Sequence, residues 1–158
     1  MIVVADTSPI CYLILIDQID LLFQIYGSIT IPTIVQAELK SSNAPQSVQD
    51  WIRQPPPWLN IQLPHQPPDS SLNRLDPGEQ AAIALAEQLG ANLLLIDERM
   101  GRQIAQQRGL NIIGLIGVLD EAATRKLIDV STIVDRLQQT TFRISPRMLE
   151  SLIQKHSV

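Results

Sequence analysis

Asp76-Pro77-Gly78-Glu79-Gln80-Ala81-Ala82-Ile83-Ala84-Leu85-Ala86-Glu87-Gln88-Leu89-Gly90, closely followed by Leu93-Leu94-Leu95-Ile96-Asp97, decides the fold. Asp76 is a good N-cap residue and Pro77 suits the first helical position, so a helix begins here. It runs to Leu89, and Gly90 stops it. The four apolar residues at 93–96 show no alternation with polar ones, which predicts a strand covered on both faces. A helix leading into a buried strand that ends on an acid is the repeating unit of an α/β domain.

The same unit recurs in both directions. Ile2 to Ala5 is a short apolar run that stops at Asp6-Thr7-Ser8-Pro9. Ser8 as N-cap and Pro9 at the first helical position predict a helix to Ile16, and a second helix covers Ile19 to Tyr26 before Gly27. Ser28 to Ile31 reads as a strand, and Pro32 opens a helix through Lys40. After Asp97 come a helix to Arg108, a strand at Asn111–Ile113, and helices at Val118–Lys126, Val130–Gln139 and Ser145–Lys155. The expected architecture is a three-layer α/β/α fold around a central parallel sheet of four to five strands, in one domain over residues 1–158. Seven of the eleven prolines fall within 41–71, which reads as a surface excursion of that domain, with a short helix around Trp51 and a strand at Leu59–Leu63.

Composition narrows the function classes. A chain of 158 residues, 45% hydrophobic and 18% charged, is too apolar to be disordered. Its longest apolar stretches are a few residues, against the roughly 20 that a membrane helix needs. Met1 leads into Ile2-Val3-Val4-Ala5 without a basic region, so no secretory signal is expected. The lone Cys11 cannot form an internal disulfide, which suits a cytoplasmic protein. Net charge is −4, unevenly spread: residues 1–97 carry three basic side chains against ten acidic ones (−7), and residues 98–158 carry nine against six (+3). Such a split fits either a carboxylate site flanked by phosphate-binding arginines or charge scattered over solvated helices.

Ligands of open parallel sheets sit beyond the carboxyl ends of the strands, where Asp6 and Asp97 fall. Each could instead cap the following helix, although Ser8 is the better-placed cap beside Asp6. Glu79 shares a helix face with Ala82, Ile83 and Ala86, and Glu38 shares one with Ile34 and Val35, so both acids point inward. Glu79 also fits a capping box with Asp76. Four inward carboxylates repel one another unless a hard divalent cation joins them, and Mg²⁺ or Mn²⁺ prefers such oxygen ligands. His65 and His156 form no zinc pattern, and no phosphate loop, nucleophile elbow or dinucleotide fingerprint is present. Carboxylates with a divalent metal point to phosphoryl chemistry; a metal-dependent phosphatase would need a phosphoacceptor and lysine pattern that is missing.

Val4-Ala5-Asp6-Thr7-Ser8, Ile31-Pro32 with Val35-Gln36-Ala37-Glu38-Leu39, Leu75-Asp76-Pro77-Gly78-Glu79 and Leu94-Leu95-Ile96-Asp97-Glu98 together resemble the motifs of the PIN domain, the fold of VapC-like toxin ribonucleases. Gly101-Arg102, Arg108-Gly109-Leu110 and Ile113-Gly114 extend the likeness to an uncharacterised PIN-like subgroup, over roughly residues 1–150. The resemblance implies that Asp6, Glu38, Glu79 and Asp97 hold Mg²⁺ or Mn²⁺ for cleavage of single-stranded RNA. It further implies a cytoplasmic homodimer paired with a small antitoxin protein, away from membranes. Ser8, Glu98, Arg99 and Arg102 are candidates for supporting the site or binding substrate, and Trp51 or Trp58 for stacking on bases. This chain has Leu95-Ile96 where most PIN nucleases place Thr or Ser before the last acid, and Glu98 where the subgroup often has a second Asp. The competing expectation is a catalytically decayed PIN scaffold that binds protein or RNA.

Overall fold

The computed structural model describes residues 1–157. Five parallel strands form one sheet: β1 (Val3–Ala5), β2 (Ile29–Pro32), β3 (Leu59–Gln62), β4 (Leu93–Leu95) and β5 (Ile112–Ile113), in the order β3-β2-β1-β4-β5. The register pairs Val4 with Thr30 on one side and Ala5 with Leu95 on the other. The chain builds outward from β1 to β3, then returns to β1's other side for β4. The carboxyl ends of β1 and β4 are therefore the switch point of the sheet, where a crevice opens.

Helices α1 (Thr7–Leu15), α2 (Leu21–Tyr26), α3 (Thr33–Lys40) and α4 (Gln46–Arg53) precede β3; α5 (Pro77–Leu89) precedes β4 and α6 (Arg99–Gln107) precedes β5. The chain continues through α7 (Leu115–Thr124), α8 (Val130–Gln138) and α9 (Pro146–Lys155). Alternate residues of each strand serve opposite faces. Val3, Ala5, Ile29, Ile31 and Leu95 join Leu13, Leu22, Val35 and Leu119 in the larger core. Val4, Leu94 and Ile96 meet Ala82, Ile83, Ala86 and Ala105 in the smaller one. This is the expected three-layer α/β/α arrangement, with five strands.

Three expectations are corrected locally. Helix α1 starts at Thr7 with Asp6 in the N-cap position, so Ser8 and Pro9 lie in its first turn, where a missing N–H costs nothing. Helix α7 starts at Leu115 rather than Val118, because Gly114 alone connects it to β5. Residues 41–71 are more than a surface excursion: α4 and β3 lie there, and Val48, Ile52 and Leu59 are buried in the larger core. The prolines are confined to the connections around these elements. No helix among the described residues is long and apolar enough to cross a membrane.

Candidate metal centre

Asp6 follows β1 directly, and its backbone N–H donates to the Leu95 carbonyl at 2.9 Å. Its side chain is 5% exposed and makes no cap to α1 although it occupies the capping position. Burial pushes the Asp6 carboxyl up to about 7, and the nearby charges of Asp76, Glu38 and Asp97 add to the effect.

Glu38 arrives from α3 and accepts a hydrogen bond from the Thr7 hydroxyl. The N-terminal end of α5 packs against it so closely that a Cβ at Gly78 would stand 2.8 Å from both Cδ and Oε2 of Glu38. A glycine is therefore what lets this carboxylate lie across the start of α5. The face reading for Glu38 holds only in part, since Val35 is buried but Ile34 is 38% exposed.

Glu79 sits in the first turn of α5, and Ala82, Ile83 and Ala86 on the same face are fully buried. Asp76 caps the helix by accepting the Glu79 N–H at 2.8 Å. Only half of the capping box forms. Glu79 Oε2 is buried without a hydrogen-bond partner, and Glu79 stands against the Asp76 carboxyl instead. Burial first, then the neighbouring Asp76, holds the Glu79 carboxyl well above the ordinary carboxylate range.

Asp97 follows β4 with Ile96 between them. Its Oδ1 accepts the Leu115 N–H at 2.8 Å, and its Oδ2 is buried with no partner. Burial raises its pKa, opposed by the Leu115 hydrogen bond and by the positive charge of Arg102. Capping of α6 falls to Glu98, whose Oε2 accepts the Gly101 N–H at 2.8 Å. Asp97 therefore does not cap α6, since the next residue does, and its own hydrogen bond goes to the first N–H of the helix that begins at Leu115.

All four acids line one cavity of about 790 Å³, together with Ser8, Asp76 and Glu98. Ser8 belongs to its wall rather than to a cap. Arg99 is exposed on the first turn of α6 and is not part of that wall. Arg102 turns away from a phosphate-facing role at this cavity and donates through Nη1 to the Ile96 carbonyl at 2.9 Å. Trp58 packs on Trp51 and on Phe23, with ring centroids 6.0 and 6.3 Å apart, in a cluster outside the cavity. Sequence reasoning missed Asp76 as a wall acid, because its capping role accounted for it fully. It also missed Thr7, whose signal was only its place beside Asp6.

The donor set is made of hard oxygens, as Mg²⁺ and Mn²⁺ prefer, and two of those oxygens are buried without partners. Among the described residues no three His, Cys, Asp or Glu side chains are drawn together tightly enough to hold an ion. The carboxylates thus face a shared cavity rather than a closed cage, and Mg²⁺ commonly uses only one or two carboxylates with several waters. The residues fit such an ion.

No curated protein and no solved structure matches the chain. The model of the PIN domain, a nuclease fold whose enzymes typically use divalent metals, matches residues 2–158, and the chain belongs to the PIN domain family.

Proposed function

We propose that this protein is a Mg²⁺- or Mn²⁺-dependent endoribonuclease that cleaves single-stranded RNA, and the toxin of a toxin–antitoxin pair. The observation that carries the reading is the pair of partnerless buried oxygens, Glu79 Oε2 and Asp97 Oδ2, on residues lining one acidic cavity at the switch point. A buried acceptor left unpaired costs about 1–3 kcal/mol, more if charged. A cation removes that cost and the mutual repulsion together.

Asp6 and Asp97 would hold one ion, and Glu38 and Glu79 would hold a second that arrives with substrate. When bound, the metal supplies a water acidified towards neutral pH and neutralises charge on the leaving oxygen. The chain's own part is positioning. Leu115 N–H fixes one oxygen of Asp97, the Thr7 hydroxyl fixes one of Glu38, and the Asp6 N–H bond to Leu95 locks the two strand ends in register. A homodimer held in check by a small antitoxin protein completes the reading.

Single-stranded RNA incubated with the protein and Mn²⁺ should be cut, and EDTA should stop the cutting. Asp97→Asn should lower the rate by at least about a hundredfold, or 2.7 kcal/mol. Glu87→Gln, on the exposed face of α5, should cut like wild type. Equal cutting by all three would mean a contaminating nuclease and would leave the decayed, binding-only scaffold as the better account.

A further inference from the structure

Behind Asp97 lies a second cavity, of about 410 Å³. Asp97, Phe142 and Arg143 line both cavities, so the two share a wall. Their charge is opposite. Six carboxylates line the first cavity, whereas the second has the single carboxylate of Asp97 against the guanidinium groups of Arg102 and Arg143.

Arg102 is anchored beside Asp97 by its bond to the Ile96 carbonyl. Gly114 makes this possible: a Cβ there would stand 2.6 Å from Asp97 Oδ1 and 2.8 Å from Arg102 Nη1. Arg143 is exposed and forms no hydrogen bond or ion pair among the described residues, unlike Arg108, Arg125 and Arg53, which pair with acids. Much of the remaining wall is apolar, with Phe142, Ile144 and Met148. Phe142 is braced edge-on against Tyr12, ring centroids 5.0 Å apart. Two planar cationic forks beside an apolar surface match a phosphodiester with its base, and the volume lies in the usual range for ligand pockets.

We propose that this cavity takes the nucleotide adjacent to the scissile phosphate, with Arg102 and Arg143 on its phosphodiester and Phe142, Ile144 and Met148 against its base. Cleavage of that neighbouring phosphate rests on the nuclease reading; the nucleotide subsite itself does not. A base lodged there has left any stack, so the site selects single strands over duplexes.

The test is binding of a single-stranded RNA of about ten nucleotides, followed by fluorescence anisotropy in Mg²⁺ on an Asp6→Asn background. Arg143→Ala should weaken binding about five- to tenfold and reduce the slope of log K against log salt by about 0.7. Arg143→Lys should restore the slope. Arg53→Ala, on α4 and outside both cavities, should change neither. Removing bases one at a time should weaken binding about fivefold at one position, and that penalty should vanish in Phe142→Ala. Absence of RNA binding, equal affinity for duplex, or an unchanged affinity and slope in Arg143→Ala would overturn the proposal. If Arg143-dependent binding is found but the Asp6-containing protein cuts nothing in Mn²⁺, the subsite stands and only the nuclease reading fails.

Discussion

Two acidic regions of this molecule handle their charge in opposite ways. At one corner Arg108, which caps the end of α6, reaches Asp69 at 2.6 Å and Glu87 at 2.9 Å. It also donates to the Ser71 hydroxyl at 2.9 Å, and Asp69 accepts the Ser71 N–H at 3.0 Å. Hydrogen bonds from Arg108 hold the Asp69 carboxyl far below the usual carboxylate range. These acids are fully used within the protein, and their work is to pin the end of the proline-rich stretch to α5 and α6. At the carboxyl edge of the sheet, burial raises Asp6, Glu79 and Asp97 instead, and two oxygens go unpaired. Carboxylates matched by the chain are structural; carboxylates left unmatched at the carboxyl edge of a parallel sheet are the candidates for an external ligand.

The largest effect expected of that contrast is on pH dependence without metal. Asp6 ionises near the ordinary 3.8 in the unfolded chain and at about 7 in the folded one. Between those values the native state binds more protons than the unfolded state, so stability falls as pH rises. The stability is fully present below about 3.8, is lost as pH climbs towards 7, and changes little above that. The slope is at most about 1.4 kcal/mol per pH unit for one such group. Urea denaturation of the protein in EDTA between about pH 4 and pH 7.5 should show the decline, and Asp6→Asn should make it shallower while Glu79 and Asp97, also raised by burial, keep part of it. Asp69 shifts the other way, so Asp69→Asn should leave the decline in place. A wild-type profile that rises over this range would break the contrast.

Adding metal should reverse the picture at the edge of the sheet and leave the Arg108 corner untouched. An ion that binds only the folded state adds about 2.7 kcal/mol at roughly a hundred times its dissociation constant. Melting in excess Mn²⁺ at slightly alkaline pH should therefore rise by several degrees for wild type and for Asp69→Asn, but much less for Asp6→Asn. Equal rises in all three would show that Mn²⁺ binds elsewhere.

How far the sequence alone reaches follows from the same physics. Strands β1 and β4 are legible because a short, continuous apolar run that ends on an acid fits a covered strand and little else. Helix α5 is legible because Asp76, Pro77 and Gly90 punctuate it. Glu79 is legible as an inward acid because its face is alanine and isoleucine. What stays hidden depends on tertiary neighbours. Helix α1 begins a residue before Ser8 because the Asp6 backbone is held by Leu95, a contact made across the sheet. Gly114 follows a strand and offers no capping side chain, yet it opens α7 ahead of the expected Val118, and its missing side chain serves Asp97 and Arg102. Phe142 and Arg143 lie in an irregular stretch between α8 and α9 with no periodicity to read. Only the fold carries them back to Asp97.

Glu79 offers the smallest and sharpest test, because cap and metal ligand forecast different things for it. With its pKa well above the ordinary range, Glu79 in the metal-free protein is largely protonated near neutral pH, and a neutral amide imitates that state. Asp76 supplies the helix cap through the Glu79 backbone N–H, which Glu79→Gln retains. Metal-free stability should thus move by no more than about 0.5 kcal/mol. Activity is another matter. An ion must draw Glu79 into its charged form, and an amide cannot follow, so the cleavage rate should fall at least about tenfold, or 1.4 kcal/mol. Paired measurements of melting in EDTA and cleavage in Mn²⁺ separate the two roles. Full activity in Glu79→Gln, with Glu79→Ala merely melting lower, would class Glu79 with Asp69 and Glu87 as an acid serving structure. The edge of the sheet would then offer Asp6, Glu38 and Asp97 as the acids left for an ion.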